Sequence, residues 1–386
     1  MQPFSFHTVP HLIIERGGAT RLGALVAPRF GARKTCLITD AFLYRSGLLS
    51  APLESLRASG FEVLVIDDVQ PDPPDHVIEA IAVRAWEFGA ELVIGFGGGS
   101  SMDAAKLVAV LLAGTQALSD MYGVDKIRGA RRPLIQVPTT AGTGSEVTAV
   151  AIVTTGDTTK SGIVSSSLYA DMALLDAELT LGLPPAITAA TGIDAMVHAI
   201  EAYTSCRLKN PISDMLALQA LALIAAHLVR ACEDGTDLDA REALLLGAML
   251  AGQAFANAPV AAVHALAYPL GGRFHLPHGL SNALVLPEVL RFNAQVPAAT
   301  EAYAELATRL LPELTGDAKA RATAFIRQLK ALIAATGLPH RLRDHGIAQK
   351  DLSQLAADAM QQTRLLANNP REMTEAAALD IYRRAW

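Results

Sequence analysis

The sequence is poor in cysteine, in aromatic residues and in charge. Of its 386 residues only 3 are cysteine, 5% are aromatic and 18% are charged. The cysteines are widely spaced and form no CxxC pair, which excludes a disulfide framework and is typical of a reducing compartment. The 32 basic and 38 acidic residues form no basic run that could follow a phosphate backbone. Nucleic acid is therefore not an expected partner.

Signals for export or membrane insertion are also missing. The N-terminal stretch has neither a basic start nor an apolar core, so we expect no signal peptide. The most apolar window, residues 107–113, is too short to cross a bilayer. Hydrophobic residues make up 51% of the chain, enough for well-buried cores in two domains. We expect a soluble, cytoplasmic protein without a membrane partner.

The first half of the chain alternates short β-rich runs with helical stretches, which favours a parallel sheet covered by helices. Strands are predicted at 35–39, 63–66, 91–96 and 134–137, and helices at 48–59, 76–88 and 102–112. An extended region at 149–154 and 161–164 predicts a hairpin or a continuation of the sheet. After Gly182-Leu183-Pro184-Pro185 the pattern becomes helical, at 186–203, 211–231, 239–257 and 318–336. We therefore predict an α/β domain at 1–183 and an all-helical domain at 184–386.

A glycine-rich loop follows the third predicted strand, at Gly97, Gly98, Gly99 and Ser100, and a helix begins after it. Glycines let a ligand approach the backbone, and free amides at a helix N-terminus bind anions. At the carboxyl edge of a parallel sheet this arrangement is typical of a nucleotide site, although a tight turn has the same composition. Lys106, one turn into the helix, is interpreted as structural.

A second loop, 138–146, follows the fourth predicted strand and includes Thr139, Thr140 and Thr143. Its hydroxyl groups and glycines could line a dinucleotide or simply cap a helix, and the two interpretations are compatible. Asp40, after the first predicted strand, could accept hydrogen bonds from a ribose and repel a 2′-phosphate, which favours NAD over NADP. A turn aspartate explains that position equally well.

Four residues could hold a metal ion. Asp194 and His198 are four apart in a helical stretch and therefore share one face. His264 is placed at the end of another helical run, and His278 in a loop-like segment. One carboxylate and three imidazoles suit Fe²⁺ or Zn²⁺, whereas each histidine alone also suits an ordinary core or surface position. Asp194 has apolar neighbours and needs a partner if it is buried.

These segments together resemble the iron-containing (group III) alcohol dehydrogenases. The resemblance is carried by Gly97–Ser100, by 138–146, by 189–203 and by Pro277-His278-Gly279, in the order and spacing of that family, and it spans essentially the whole chain. It implies a dinucleotide-binding domain followed by a helical metal-binding domain, an architecture like that of dehydroquinate synthase, with the active site between the two domains. The implied activity is hydride transfer between a short-chain alcohol or aldehyde and NAD(H).

The resemblance also assigns residue roles. It gives the metal, Fe²⁺ with Zn²⁺ as the alternative, to Asp194, His198, His264 and His278. It gives cofactor contacts to a set that spans both loops and several flanking positions: Asp40, Asp72, Gly97, Gly98, Gly99, Ser100, Thr139, Thr140, Thr143, Lys160 and Leu183. Asp72 stands where the family often has asparagine. Members of the family commonly form homodimers or larger homo-oligomers, and we expect the same here.

One departure from the family concerns the substrate. Many members have a histidine one turn after the third metal ligand, where this chain has Tyr268. A tyrosine there resembles the branch that acts on short hydroxy acids, including hydroxyacid–oxoacid transhydrogenases and some 4-hydroxybutyrate dehydrogenases. Tyr268 is a candidate catalytic residue beside His264, or a core aromatic. Arg273 and His275 could meet a substrate carboxylate or lie at the surface. Maleylacetate reductase-like, sugar-phosphate lyase and non-catalytic roles are weaker alternatives.

Overall fold

The computed structural model describes residues 3–156 and 159–386. Within them the chain forms two compact units. One unit is His7–Gly182, and the other begins at Leu183, runs to Trp386 and includes the described residues before His7.

The first unit is built on a parallel sheet. Its strands are β1 His11–Ile14, β2 Lys34–Ile38, β3 Glu62–Ile66, β4 Leu92–Gly97, β5 Gly123–Val124, β6 Leu134–Pro138, β7 Val150–Thr155, β8 Thr159–Val164 and β9 Met172–Leu175. Six of them form the main sheet in the order β1-β9-β6-β4-β2-β3, with every pairing parallel. All six residues of β4 are buried, as expected for an inner strand covered on both faces.

The described part of this unit also contains a smaller sheet and five α-helices. In the smaller sheet, β7 and β8 form an antiparallel pair and β5 lies parallel to β8. The helices are α1 Leu22–Val26, α2 Ala41–Arg45, α3 Ser50–Ala58, α4 Asp75–Phe88 and α5 Gly99–Leu111. The strand–helix alternation predicted from the sequence is confirmed, and so is the hairpin that follows β6.

Three strands escaped prediction: the two-residue β5 and, for identifiable reasons, β1 and β9. β1 is a short strand at the edge of the sheet, and none of its residues is fully buried. β9 is buried throughout, but its sequence, Met-Ala-Leu-Leu, contains no β-branched residue and is typical of a helix. Their pairing with each other extends the sheet beyond β6.

The second unit contains helices and, among its described residues, no strand. Its helices are α6 Pro185–Thr204, α7 Pro211–Glu233, α8 Leu238–Asn257, α9 Ala262–Phe274, α10 His278–Asn293, α11 Pro297–Leu310, α12 Ala318–Ala335, α13 Leu352–Ala359, α14 Thr363–Leu366 and α15 Glu375–Ala385. Helices α6, α7 and α8 pack against one another, and α10 packs against α6 and α9. The predicted fold class, an α/β region followed by a helical region, is confirmed.

Two local predictions in this unit are wrong. His264 does not end a helix but lies in the first turn of α9. The chain bends by 107° between α8 and α9. Ala258 is extended there because the following residue is Pro259, which disfavours helical geometry at the preceding position. His278 is not in a loop but is the first residue of α10, after Pro277.

Helix α7 is long and apolar enough, by length and composition, to cross a membrane, and the bent pair α8 and α9 passes the same test. Helices α6, α7 and α8 pack against one another, an arrangement that core helices of soluble proteins share. The start of α7 is fixed by a capping box in which the side chains and backbone amides of Asn210 and Ser213 exchange hydrogen bonds.

Candidate functional site

The four predicted metal ligands come together in the helical unit. Oδ1 of Asp194 lies 3.5 Å from Nε2 of His278, 3.8 Å from Nε2 of His264 and 4.0 Å from Nε2 of His198. One ligand atom from each of Asp194, His198 and His264 fits within a mutual distance of 4.8 Å. Three helices, α6, α9 and α10, therefore present a carboxylate and three imidazole nitrogens to one small volume.

A glycine allows α10 to approach α6 closely enough for this. A Cβ atom added at Gly279 would lie 2.1 Å from the carbonyl oxygen of Ala190 and 3.3 Å from Cβ of Asp194. Only glycine fits there without moving a helix backbone. The neighbouring His278 is thereby brought to the same side of α10 as the Asp194 carboxylate.

Asn282, one turn after His278, reaches into the centre of the cluster. Its Nδ2 donates a hydrogen bond of 2.6 Å to Oδ1 of Asp194 and lies 3.4 Å from Nε2 of both His264 and His278. Its Oδ1 is buried and has no hydrogen-bond partner among the described residues. An amide nitrogen thus faces the same atoms that would surround a cation, and the donor types present are those that divalent metals bind. The residues fit a metal ion.

Glu201 supports the cluster from behind. Its carboxylate accepts hydrogen bonds from the backbone amides of Ala261, at 2.9 Å, and Val263, at 2.6 Å. It also contacts Nδ1 of His264 at 2.7 Å. Glu201 is 3% exposed, so these contacts are shielded from water.

The electrostatics of the cluster favour an ionised carboxylate. Burial by itself raises the pKa of Asp194, but His198, His278 and His264, together with the Asn282 amide, lower it below its ordinary value. The Asp194 carboxylate is therefore ionised at neutral pH.

Aromatic rings flank the imidazoles. Phe255 stacks on His198 with ring centroids 4.3 Å apart, and Tyr268 is tilted against His278 at 5.8 Å. The His278 side chain is 34% exposed, whereas the Asp194 side chain is 3% exposed. Among the described residues, the donor set is thus most accessible on the side of His278 and Tyr268.

The glycine loop in the α/β unit has the geometry of an anion site. Gly97 ends β4 with φ 153°, and Gly98 precedes α5 without a side chain that caps the helix. The amides at the start of α5 are therefore open to a ligand. The threonine loop lies beside them: Thr139 donates its amide to the Gly97 carbonyl at 3.0 Å. A Cβ atom at Gly99 would lie 2.9 Å from Cγ2 of Thr143.

Other predicted cofactor residues gather around the same loop. The amide of Asp72 donates to Oγ of Ser100 at 3.2 Å, and its carboxylate lies 2.6 Å from Nζ of Lys160. Gly98 and Thr140 also lie close, since a Cβ atom at Gly98 would be 3.6 Å from Oγ1 of Thr140. Positions far apart in sequence thus meet at the carboxyl ends of β4 and β6, where parallel sheets bind nucleotides.

Asp40 caps a helix. Its Oδ1 accepts the backbone amide of Leu43 at 3.0 Å, which satisfies the first turn of α2. This capping bond agrees with the simpler of the two sequence interpretations and leaves the ribose contact as a prediction.

Lys106 is structural, as interpreted from the sequence. It is fully buried, and its Nζ donates to Oγ of Ser145 at 2.7 Å, to Oγ1 of Thr148 at 3.1 Å and to the Val150 carbonyl at 2.7 Å. Asp103 accepts from Ser145 at 2.5 Å. This buried network ties the helix of the glycine loop to the segment that follows the threonine loop.

Leu183 and Arg273 lie in the helical unit. The Leu183 carbonyl accepts a hydrogen bond from Nη2 of Arg241 at 3.1 Å, and its role as a cofactor contact stays a prediction. Arg273 forms an ion pair with Asp358, so its guanidinium already has a carboxylate partner in the chain. His275 ends α9 in the left-handed conformation, with φ 54°.

Sequence reasoning missed Glu201 and Asn282. Glu201 lies seven residues after Asp194, on the same helical face, and that spacing could have identified it. Asn282 lies four residues after His278, so the same rule would have applied had 278 been recognised as a helix start. The loop predicted there hid the relation.

Comparisons with known proteins identify the family of the chain. The chain matches the iron-containing alcohol dehydrogenases over residues 10–177 and the C-terminal region of the Fe-containing alcohol dehydrogenase family over residues 188–386. The chain belongs to the iron-containing alcohol dehydrogenase family. The resemblance inferred from the motifs is confirmed, and the reaction class is the interconversion of alcohols and aldehydes by oxidoreduction.

Individual relatives span nearly the whole chain. The sequence is 41% identical over 362 residues to long-chain-alcohol dehydrogenase 1 of Geobacillus thermodenitrificans, which covers 93% of this chain and 91% of the relative. A crystal structure of 1,3-propanediol oxidoreductase superposes with a TM-score of 0.95 at 33% identity over 100% of both chains. Sulfoacetaldehyde reductase of Bifidobacterium kashiwanohense, solved in complex with NAD⁺, has a TM-score of 0.88 at 28% identity, covering 100% of this chain and 99% of its own.

Proposed function

We propose that this member of the family is an NAD-linked, metal-dependent alcohol dehydrogenase that also reduces aldehydes. The α/β unit would bind the dinucleotide. The helical unit would hold one divalent ion, Fe²⁺ with Zn²⁺ as the alternative, on Asp194, His198, His264 and His278. The observation that carries the proposal is the convergence of three Nε2 atoms on one Asp194 oxygen, within 3.5 to 4.0 Å.

When bound, such an ion lowers the pKa of an alcohol hydroxyl and polarises an aldehyde carbonyl. The chain's own residues orient the reactants. The exposed edge at His278 is the side from which a substrate can approach, and the ring of Tyr268 is suited to an alkyl chain beside it. His264 serves as ligand, and the Tyr268 hydroxyl is the proposed group for proton release.

For the cofactor we propose NAD(H). The amides that open at Gly98 and Gly99 would bind the pyrophosphate, and Thr139, Thr140 and Thr143 would line its other side. Asp72 contacts both Ser100 and Lys160 beside this loop. The related reductase solved in complex with NAD⁺ supports the same cofactor here.

The proposed substrates are short-chain primary alcohols and their aldehydes. The hydroxy-acid alternative requires a cation for the substrate carboxylate, and Arg273, one of its two sequence candidates beside His275, is paired with Asp358. We propose a soluble, cytoplasmic homo-oligomer whose partners are small molecules. A screen of ethanol, butanol, propanediol and 4-hydroxybutyrate with NAD⁺ and NADP⁺ measures these preferences directly.

The metal assignment is tested by His264→Ala and His278→Ala. Each variant should lose bound metal and most turnover, because a ligand is removed, and should keep NADH affinity, because the glycine loop is untouched. Metal analysis of purified protein and fluorescence titration of NADH measure the two quantities. His227→Ala is the matched control, since that histidine lies on α7 and contacts the Leu223 carbonyl. Full metal content in both ligand variants would refute the assignment.

The cofactor preference is tested by Asp40→Ser. Serine keeps a cap for α2 but removes the negative charge, so folding is preserved while repulsion of a 2′-phosphate is relieved. The ratio of kcat/KM for NAD⁺ to that for NADP⁺ should fall at least tenfold, about 1.4 kcal/mol. An unchanged ratio would leave Asp40 as a helix cap alone.

A further inference from the structure

Glu201 holds two elements of the helical unit together at the metal cluster. It lies on α6, the helix that also provides Asp194 and His198, and its carboxylate meets the first turn of α9. The residue before α9, Ala261, has no side chain that caps the helix. Glu201 therefore supplies from another helix the acceptor that a capping side chain would otherwise provide.

The same carboxylate determines which nitrogen of His264 carries the proton. Oε2 of Glu201 lies 2.7 Å from Nδ1 of His264, and an ionised carboxylate can only accept a hydrogen bond. Nδ1 must therefore be the protonated nitrogen. In a neutral imidazole this leaves the lone pair on Nε2, the atom that lies 3.8 Å from Asp194.

An independent contact on the other side of the ring agrees. Asn282 must direct its Nδ2 at Asp194, because a carboxylate cannot donate to an amide oxygen across 2.6 Å. The same Nδ2 is 3.4 Å from Nε2 of His264, so a donor faces Nε2 there and favours a lone pair on that atom. Two neighbours, one on each nitrogen, select the same tautomer.

We propose that Glu201 is a positioning residue for the metal centre, which fixes His264 in the tautomer whose Nε2 can bind a divalent ion. The inference rests on the proposed metal site. Carboxylates that orient a ligating histidine through its other nitrogen typically contribute tenfold to hundredfold to metal affinity. Because the Glu201 carboxylate also accepts hydrogen bonds from two backbone amides, it cannot turn away from the imidazole without leaving those amides at the start of α9 without their acceptor.

The test is Glu201→Gln, a change that keeps the volume of the side chain. One of its two oxygens becomes an amide group, which must face either Val263 N–H, donor against donor, or the Ala261 amide and Nδ1 of His264. The first orientation opposes an N–H in the turn of α9 that carries His264, and the second opposes the Nδ1–H of His264 itself. Zn²⁺ affinity, measured by competition with a chromophoric chelator, should fall by a factor of about 10 to 100.

A second measurement, the tautomer of His264 read from its ¹⁵N chemical shifts, would not change if Glu201 had a structural role alone. In metal-free protein, ¹⁵N chemical shifts of labelled histidine should show His264 protonated at Nδ1 in the wild type, and a shifted tautomer population in Glu201→Gln. Glu288→Gln is the matched control, because Glu288 is a buried glutamate on α10 that pairs with Arg291. It should lower stability without changing Zn²⁺ affinity or the His264 tautomer.

The outcomes separate the two proposals. Wild-type Zn²⁺ affinity in Glu201→Gln, or a wild-type His264 protonated at Nε2, would overturn the positioning role. Failure of the wild-type protein to bind Zn²⁺ or Fe²⁺ at all would overturn the metal site, and the tautomer measurement in the metal-free protein would still decide what Glu201 does to His264.

Discussion

A buried carboxylate at the metal cluster and another beside the glycine loop have pKa values shifted in opposite directions. Asp194 in the helical unit and Glu146 in the α/β unit are each 2% exposed. Burial raises the pKa of both, and for Glu146 it prevails, so that its pKa is raised to about 7 in spite of Lys106. For Asp194 three imidazoles and an amide reverse the effect, and the pKa is lowered.

The two carboxylates differ in where the nitrogen atoms near them direct their hydrogen bonds. Lys106 donates to Ser145, Thr148 and the Val150 carbonyl, so its charge is shared by a network that braces the loop. The neighbours of Asp194 all direct a nitrogen at the carboxylate. Burial of an acid therefore does not identify a metal site, whereas convergence of several nitrogen atoms on its oxygen does.

The largest effect is expected where the helical cluster depends on close backbone contact. In Gly279→Ala the new Cβ would lie 2.1 Å from the Ala190 carbonyl oxygen, so α10 must move away from α6. We expect the free energy of unfolding to fall by about 3 kcal/mol or more, and we expect metal binding to be lost. Urea denaturation and metal analysis measure the two losses.

A matched change in the α/β unit serves as the control. Gly31→Ala adds the same atom where no other atom lies within 4 Å, so stability and metal content should stay as in the wild type. If Gly279→Ala bound metal normally, the close approach of α10 to α6 would not be what places His278, and the account of the cluster's assembly would be wrong.

The second effect concerns Glu146. Its pKa of about 7 exceeds the ordinary value of 4.5, so between these values the folded protein binds more protons than the unfolded chain. The free energy of unfolding should therefore fall as pH rises through this window, by up to about 3 kcal/mol. Glu146→Gln removes the titration, so its stability should change less between pH 4.5 and 7 than that of the wild type.

Urea denaturation of both proteins at a series of pH values measures this difference. Parallel curves for Glu146→Gln and the wild type would show that Lys106 keeps Glu146 ionised throughout. The contrast between the two buried carboxylates would then disappear, because both would be held as anions by their neighbours.

The two candidate sites also differ in how much of each could be predicted from the sequence. The glycine loop is a local signal: Gly97, Gly98 and Gly99 stand between a strand and a helix, and both were predicted from a few neighbouring residues. Asp194 and His198 share one helix, so their pairing also follows from spacing. These parts of the fold and of the candidate site depend on short-range rules.

The remaining parts depend on which helices pack together. Ala258 and Pro259 interrupt an alanine-rich stretch between α8 and α9. Because the helical periodicity alone does not show this break, His264 was predicted at a helix end. Glu201 meets α9, and Asn282 meets Asp194, only after α6, α9 and α10 have packed. Spacing can place Glu201 on the helix face of Asp194 and Asn282 on that of His278, but no local pattern specifies which groups of the other helices they contact, so their roles at the cluster could not be predicted from sequence alone.

The smallest effect is expected at Asp72, the family asparagine position that is acidic here. Its φ of 52° is left-handed, a conformation that asparagine accepts as readily as aspartate. Asp72→Asn should therefore keep the backbone and its bond to Ser100 while losing the ion pair with Lys160. The Asp72 side chain is 58% exposed, and exposed pairs contribute about 1 kcal/mol or less. We expect a change of up to about fivefold in the Kd for NADH, measured by fluorescence, with metal content unaffected.

Asp72→Ala keeps neither feature and should cost about 1 kcal/mol more in stability, because alanine resists this conformation. Equal stability of the two variants would mean that the left-handed turn imposes no constraint at this corner of the nucleotide loop.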